Sequence, residues 1–285
     1  MNFDLREEAA RAQTSLDEVE FACWRPDGGP KTATFHRING GFLIRFIDRA
    51  DFLIALDDRI VISRPIPGLS AAALRDLYLN QVVPMIRSHQ GELIIHASVV
   101  AIDGRAVGFS APSGSGKSTL AAAFARTGVP FLSDDGVSLI RQGDVFLAEP
   151  SRPSFRLWQD SEAAVVLGRP VPDDCDDEKS LIAADEALPY MDKPLPLAAL
   201  YFLGAGDSAE PVIADLTVPQ SLSRLISHSF FLDGEDRQRI RRDFNTLAEA
   251  AERVPCFTLD YPRVYDQLPA VIDAVSRHMF SREAV

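Results

Sequence analysis

Hydrophobic positions in the first third of the chain recur with the period of two that is typical of β-strands. Short apolar or alternating runs lie at residues 19–24, 32–36, 42–47 and 59–62, and Asn39-Gly40-Gly41 separates two of them as a turn. Between residues 70 and 88 the apolar spacing changes to that of an amphipathic helix. We therefore predict a β-rich N-terminal portion with a connecting helix at residues 1–89.

From residue 93 onward, strand-like and helix-like runs alternate. Apolar runs at 93–101 and 105–110 flank Asp103-Gly104, and this pattern predicts a β-hairpin. A helix-forming run at 119–125 and a buried strand at 129–132 follow. Further strands are predicted at 137–140, 145–148, 199–203 and 255–259, helices at 220–228, 236–253 and 264–279, and a long Pro- and Asp-rich surface loop at 170–196. The alternation predicts an α/β fold with a mixed central sheet at residues 90–285.

A glycine-rich turn lies between the strand at 105–110 and the helix at 119–125. It reads Ala111-Pro-Ser-Gly-Ser-Gly-Lys-Ser-Thr119, and it departs from the GxxxxGK[ST] phosphate-binding loop only where Ala111 replaces the first glycine. Glycines accept backbone angles that let successive N–H groups converge on a phosphate, and the following helix directs its positive end at the same anion. The pattern predicts that Lys117 contacts the β- and γ-phosphates of ATP and that the Ser118 hydroxyl binds Mg²⁺. The predicted nucleotide-binding residues are Ser113, Gly114, Ser115, Gly116, Lys117, Ser118 and Thr119.

Two adjacent acids, Asp134 and Asp135, end the strand that follows the loop helix. Phosphoryl transfer to a hydroxyl needs Mg²⁺ to neutralise the phosphates and a group to accept the hydroxyl proton, so one carboxylate is available for each task. The alternative is a structural turn, since Asp-Asp-Gly136 is favourable turn chemistry. His96 lies on the strand that precedes the loop strand, so we expect it near the loop, either as a hydrogen-bonded core residue or as a catalytic group.

The acidic balance of the chain limits its partners. The 285 residues carry a formal net charge of −12, and an acidic surface repels nucleic-acid backbones and anionic membranes, so we expect neither as a partner. The chain has no apolar run long enough to span a bilayer, and its first residues are polar and acidic rather than those of a secretory signal. Cys23, Cys175 and Cys256 lack metal-binding spacing and read as reduced thiols. We expect a cytoplasmic protein, and the sequence leaves its oligomeric state open, a homo-oligomer included.

The run from His96 through Ser118, followed by Ser133-Asp134-Asp135, resembles the catalytic core of the HPr kinase/phosphorylase family. The histidine, the loop and the acidic pair stand in the same order and at closely matching spacing. The resemblance covers residues 90–150 and implies a P-loop kinase of HPr-kinase-like type that uses ATP and Mg²⁺. It further implies that Asp134 is the base that activates a substrate serine, that His96 orients Asp134, and that Asp135 and Ser118 bind Mg²⁺.

The later part of the chain departs from that family. Residues 253–259 resemble diverged HPr-kinase-related proteins, lasso-peptide precursor kinases among them. The Arg-Gly-x-Gly signature of true HPr kinases is absent, and residues 149–158 stand in its region. We therefore expect the acceptor to be a serine hydroxyl of a peptide or small protein other than HPr, such as a ribosomally made precursor. The alternatives are a nucleotide-binding regulatory module without phosphotransfer and a kinase of a small metabolite.

Three cations are weaker candidates for substrate binding. Arg152 and Arg156 lie in the segment at 149–158, where their planar guanidinium groups suit a phosphate or an acidic peptide, or are simply solvated. Lys179 lies in the acidic surface loop, where it contacts a phosphate or forms an ion pair within that loop.

Overall fold

The computed structural model describes residues 3–25, 29–168 and 179–281. The chain divides into two compact units, Met1–Val83 and Pro84–Val285. Cys175 and most of the acidic residues in the predicted loop at 170–196 lie outside the described residues; Cys256 is buried and Cys23 is exposed. None of the helices in the described ranges is both long enough and apolar enough to cross a membrane.

A largely antiparallel sheet forms the first unit. Within residues 3–25 and 29–83 its six strands have the order β1-β6-β5-β4-β3-β2, and β1 alone pairs in parallel, with β6. Their bounds are β1 (Asp4–Glu7), β2 (Glu20–Trp24), β3 (Ala33–Ile38), β4 (Gly41–Phe46), β5 (Ala50–Ala55) and β6 (Ile60–Pro65). The central strands bury Phe35, Ile44 and Phe52, within runs of consecutive buried residues on β3, β4 and β5.

The sequence pattern did not predict β5, because the charged residue Asp51 interrupts its apolar run. In the structure Asp51 is buried and accepts hydrogen bonds from Arg45 on the neighbouring strand at 2.7 and 2.8 Å. A buried carboxylate that is paired in this way costs far less than an isolated one, so it can stand within a sheet. The predicted connecting helix is present as α1 (Ala71–Leu77), a π-helical turn at Tyr78–Val82 and α2 (Val83–His89).

The second unit combines a mixed sheet with helices, and the predicted α/β class is confirmed. Its strands are β7 (Leu93–Ile95), β8 (Ala97–Ile102), β9 (Arg105–Ser110), β10 (Phe131–Ser133), β11 (Val137–Gln142), β12 (Val145–Ala148), β13 (Ser154–Leu157), β14 (Ser180–Ala183), β15 (Leu195–Leu203), β16 (Val212–Asp215) and β17 (Cys256–Asp260). Its helices are α3 (Lys117–Arg126), α4 (Gln159–Ser161) with a π-helical turn at Glu162–Val166, α5 (Val218–Ser227), α6 (Arg237–Arg253), a 3₁₀ turn at Tyr265–Gln267 and α7 (Leu268–Ser281).

Strand β15 organises this sheet. It runs parallel to β9 on one side and to β17 on the other. Antiparallel strands extend the sheet, β8 and β10 beyond β9 and β16 beyond β17. The first residues of β15 also pair with β12, which leads through β11 to β7. Because β9, β15 and β17 are parallel, their carboxyl ends meet at one edge, where open α/β sheets bind ligands.

Helices cover both faces of the sheet. On one face α3 and α7 pack against a core that contains Phe109, Phe124 and Tyr201. On the other face α5 and α6 contribute Leu225 and Leu247 to a second core. The glycine-rich turn at residues 111–119 therefore lies between a buried strand and a buried helix, which restrains both of its ends.

The strand predicted at 93–101 is interrupted at His96. β7 pairs with β11, whereas β8 pairs with β9 and β10. The His96 N–H donates a 2.8 Å hydrogen bond to the carbonyl of His228, at the end of α5. This bond satisfies the backbone of His96 outside the sheet, so one apolar run can supply two separate strands.

Candidate functional site

A cavity of about 430 Å³ lies at the carboxyl edge of β9, β15 and β17. The glycine-rich loop, residues 114–119, forms one wall. The other walls come from Asp135, from residues 156–161, from Lys179, and from the segments that follow β15 and β17. The cavity thus unites chain segments that are far apart in the sequence.

The glycine-rich loop has the backbone geometry that its sequence predicts. Gly114 and Gly116 have φ values of +83° and +87°, in the left-handed region that favours glycine. Ala111 is absent from the described residues with positive φ and is buried, so the missing first glycine costs no backbone strain. Gly116 is the N-cap of α3, and since it has no side chain, it leaves the N–H groups of the first helical turn to a bound anion.

Lys117 is buried within this loop. Its Nζ donates a 3.1 Å hydrogen bond to the carbonyl of Pro112. Burial lowers the pKa of Lys117 to about 8, although the negative charges of Asp135 and Asp134 oppose this effect. A cation held in this way can exchange a carbonyl for a phosphate oxygen, a stronger partner.

Asp134 is buried beneath the cavity wall. Its Oδ1 accepts a 2.6 Å hydrogen bond from the Ser98 hydroxyl, and its Oδ2 accepts one of 2.9 Å from the Arg156 N–H. Burial and the neighbouring charge of Asp135 raise the pKa of Asp134, whereas Ser98, the Arg156 N–H and the Ser118 hydroxyl favour its ionised form. Asp134 is therefore fixed between β8 and β13.

Asp135 faces the cavity. Its φ of +63° lies in the left-handed region, which Asp tolerates better than most residues, and this turns its side chain away from that of Asp134. Oδ2 accepts a 3.1 Å hydrogen bond from Nη1 of Arg156. Burial alone would raise the pKa of Asp135, but the positive charges of Lys179 and Arg156 hold it below its ordinary value. Asp135 is thus a carboxylate at neutral pH.

His96 lies close to these groups, as its position in the sequence predicted. Its carbonyl accepts a 2.8 Å hydrogen bond from Ser110 at the end of the loop strand, and its ring stands edge-on to Phe230 at 5.9 Å. Burial and the positive charge of Lys117 lower the pKa of His96 to about 3, while the charge of Asp135 opposes the shift. His96 is therefore neutral near pH 7, and the charge of Asp135 acts on its ring.

Two of the three weaker candidates for substrate binding line the cavity. Arg156 and Lys179 line the cavity, and Nζ of Lys179 lies 5.4 Å from the ring centre of Trp158. Among the described residues Arg152 and Ser113 are not part of the lining. Arg156 was proposed to meet a substrate, and in the structure it also supports both acids.

Sequence reasoning missed the wall that follows β15 and β17. Gly204 and Ala205 follow β15, and Tyr261, Arg263 and Tyr265 follow β17. The guanidinium carbon of Arg263 lies 3.9 Å from the ring centre of Tyr261, and the guanidinium donates to the Gly204 carbonyl at 2.7 Å. The sequence predicted both strands. If they run parallel to β9 in one sheet, the segments that follow them lie at the same edge as the loop. This reasoning was the signal in the sequence that could have identified the wall.

The acids and the loop serine fit a magnesium ion. Mg²⁺ in nucleotide sites keeps several waters and takes only one or two protein ligands beside the phosphates. Ser118, which lines the cavity, and Asp134, whose ionised form the Ser118 hydroxyl favours, offer such a pair of oxygens. The described residues contain no cluster of three or more His, Cys, Asp or Glu side chains that could hold a metal by itself.

No family model and no curated protein matches the chain. Among solved structures, the chain is similar to the Hpr(Ser) kinase/phosphatase from Coxiella burnetii, at 11% sequence identity. The alignment covers 67% of this chain and 98% of that chain, with a TM-score of 0.37. A TM-score at this level does not establish a shared fold, so function has to be inferred from the residues of the site.

Proposed function

We propose that this protein is a kinase that transfers the γ-phosphoryl group of ATP, with Mg²⁺, to a serine hydroxyl of a peptide or small protein. The observation that carries the proposal is that Lys117 of the glycine-rich loop and the carboxylate Asp135 line one cavity. A protein that only sensed a nucleotide would need the loop and the cation. It would have no use for a second, cavity-facing carboxylate.

The loop and the buried acid form the nucleotide end of the site. Backbone N–H groups of residues 114–119 and Nζ of Lys117 balance the charge of the phosphates. Ser118 and Asp134 would hold the metal, because the Ser118 hydroxyl interacts with the Asp134 carboxyl and favours its ionised form. When bound, Mg²⁺ supplies further neutralisation of the β- and γ-phosphate oxygens.

Asp135 is the proton acceptor in this proposal. Its carboxylate takes the serine proton as the serine oxygen forms a bond to the γ-phosphorus, and the bond from that phosphorus to the β–γ bridging oxygen breaks to release ADP. This division exchanges the roles that the family resemblance implied. It is supported by the cavity position of Asp135 and by the two donors, the Ser98 hydroxyl and the Arg156 N–H, that already occupy Asp134.

The acceptor would enter beside Arg156 and Lys179. Both cations line the cavity near Asp135 and suit the developing charge on the transferred group or an acidic peptide. A peptidyl serine, and within that class a ribosomally made precursor peptide, is the acceptor that the sequence resemblance favours. Catalysis would reside in the second unit, which contributes every residue of this cavity.

A transfer assay tests the proposal. The full chain is incubated with γ-labelled ATP, Mg²⁺ and a panel of serine-containing peptides, with HPr as a separate acceptor. We expect label on peptide serine, and Lys117→Ala should abolish it while the circular dichroism spectrum is unchanged. Lys193→Ala is the matched control, since Lys193 is an exposed lysine outside the cavity lining. Nucleotide binding without transfer to any acceptor would favour the regulatory module.

A further inference from the structure

A chain of hydrogen-bonding side chains lines part of the cavity wall. The Thr119 hydroxyl lies 3.0 Å from the Ser161 hydroxyl, which lies 3.2 Å from the Tyr265 hydroxyl. Tyr265 donates a 2.7 Å hydrogen bond to Oδ2 of Asp160, and Oδ1 of Asp160 accepts one of 2.7 Å from the Ser161 N–H. All four residues line the cavity.

This chain is separated from the acids by the geometry of α3. Successive residues of a helix point about 100° apart around its axis. The Ser118 side chain interacts with Asp134, whereas that of the next residue, Thr119, contacts Ser161. A nucleoside triphosphate whose terminal phosphates lie at Lys117 and Ser118 therefore has its nucleoside on the Thr119 side of the loop, and the wall it meets there holds Asp160.

Asp160 is suited to bind vicinal hydroxyl groups. It is half-buried, and its two oxygens are oriented by the Tyr265 hydroxyl and the Ser161 N–H. Each carboxylate oxygen has a second lone pair that can accept a further hydrogen bond. A carboxylate that accepts from ribose hydroxyls is a recurring solution in nucleotide-binding proteins. Val264 and Leu268, which line the same wall, provide apolar surface for a flat base.

We propose that Asp160 binds the ribose hydroxyls of the nucleotide and selects ribonucleotides over nucleotides that lack these hydroxyls. Tyr265 is the positioning residue that holds the carboxylate in place. This inference rests on the proposed nucleotide-binding function and adds a specificity-determining residue to it. It also gives a role to Asp160, an acidic side chain in a cavity that has to accommodate polyphosphate.

Binding measurements on the full chain test this inference with three probes. These are ATP, 2′,3′-dideoxy-ATP and inorganic tripolyphosphate, each titrated by calorimetry in the presence of Mg²⁺. Hydrogen bonds to a charged acceptor correspond to about a tenfold to hundredfold difference in affinity. We therefore expect the unmodified protein to bind ATP at least about tenfold more tightly than the dideoxy compound.

Asp160→Asn should reduce that preference to less than about threefold, because the amide loses the charge that strengthens the bonds. The amide oxygen can still accept from Ser161, so the wall should remain folded, and the affinity for tripolyphosphate should be unchanged. Tyr265→Phe, which keeps the aromatic ring, should give an intermediate preference. Asp266→Asn is the matched control: it removes the same charge from an exposed residue outside the cavity lining and should leave the preference unchanged.

Two results would overturn the inference while leaving the proposed function intact. One is equal affinity of the unmodified protein for ATP and dideoxy-ATP. The other is that Asp160→Asn weakens both nucleotides by the same factor, as a purely structural role requires. Failure of all three probes to bind would overturn the proposed function itself, and this inference with it.

Discussion

The Nη1 atom of Arg156 lies 3.1 Å from Oδ2 of Asp135. The backbone N–H of the same arginine donates to Asp134, so one residue of β13 supports both acids. The ion pair is only partly accessible, with 20% of the arginine side chain and 14% of the aspartate side chain exposed. An ion pair with this little exposure is screened less by salt than one on the surface.

The ion pair between Arg156 and Asp135 determines the acid limb of the pH profile of the proposed reaction, which is the pH range in which the rate falls as the pH is lowered. Arg156 lowers the pKa of Asp135, so Arg156→Gln should raise that pKa. A base must be deprotonated to act. As the pH is lowered, kcat/KM of the variant should therefore begin to fall at a higher pH than kcat/KM of the unmodified protein. The pH profile of transfer measures this. Arg152→Gln, outside the cavity lining, is the control, and an acid limb that stays in place would exclude Asp135 as the base.

Substitutions of Asp134 and Asp135 should impair different steps of the reaction. Asp135→Asn should leave the affinity for Mg·ATP within about threefold but lower kcat by about a hundredfold or more, since an amide cannot accept the proton. Asp134→Asn should instead raise the Mg²⁺ concentration needed for half-maximal activity, because an amide is a weaker ligand for a hard cation. Calorimetric titrations and initial rates separate the two effects. The reverse pattern would restore the roles that the family resemblance implied.

Gly204 should tolerate no side chain. A Cβ at this position would lie 2.8 Å from the Cβ of Asp260 and closer still to its Oδ1. Asp260 in turn accepts hydrogen bonds from the N–H groups of Gly206 and Ser208. Gly204→Ala should therefore destabilise the protein by about 1–3 kcal/mol, measured by urea denaturation. Gly234→Ala, where a Cβ meets nothing within 4 Å, is the control and should change stability little.

Buried histidines should make the second unit sensitive to acid. Burial and the charge of Arg239 lower the pKa of His89 to about 4, although Asp233 and Asp236 oppose the shift. Between about pH 6.5 and pH 4 the unfolded state then binds more protons at this residue than the folded state. The free energy of unfolding should fall as the pH is lowered through this window, by up to about 1.4 kcal/mol per pH unit for this histidine.

His89→Gln should reduce that slope. Denaturation can be followed by the fluorescence of Trp158 in a Trp24→Phe background, because the chain has two tryptophans and only Trp158 lies in the second unit. The same dependence of stability on pH in both proteins would contradict the assignment of a neutral His89.

Local sequence determined the glycine-rich loop and its setting. Gly114 and Gly116 adopt positive φ because they lack a Cβ, and Asp103-Gly104 forms the turn between β8 and β9 for a related reason. The apolar run before the loop and the helix-forming run after it are likewise signals that span a few residues. Such features can be predicted because the interactions that stabilise them lie within one turn or one strand.

Only the tertiary structure decided which other segments meet the loop. β15 lies between β9 and β17 although long stretches of chain separate the three strands. Their pairing depends on how the whole sheet packs between two layers of helices. That pairing brings Tyr261 and Tyr265 to the cavity, and Asp160 with them. The sequence also placed Asp134 and Asp135 side by side without distinguishing them. The backbone path after β10 buries one carboxylate against Ser98 and turns the other into the cavity, and burial is a property of the packed protein rather than of the residue type.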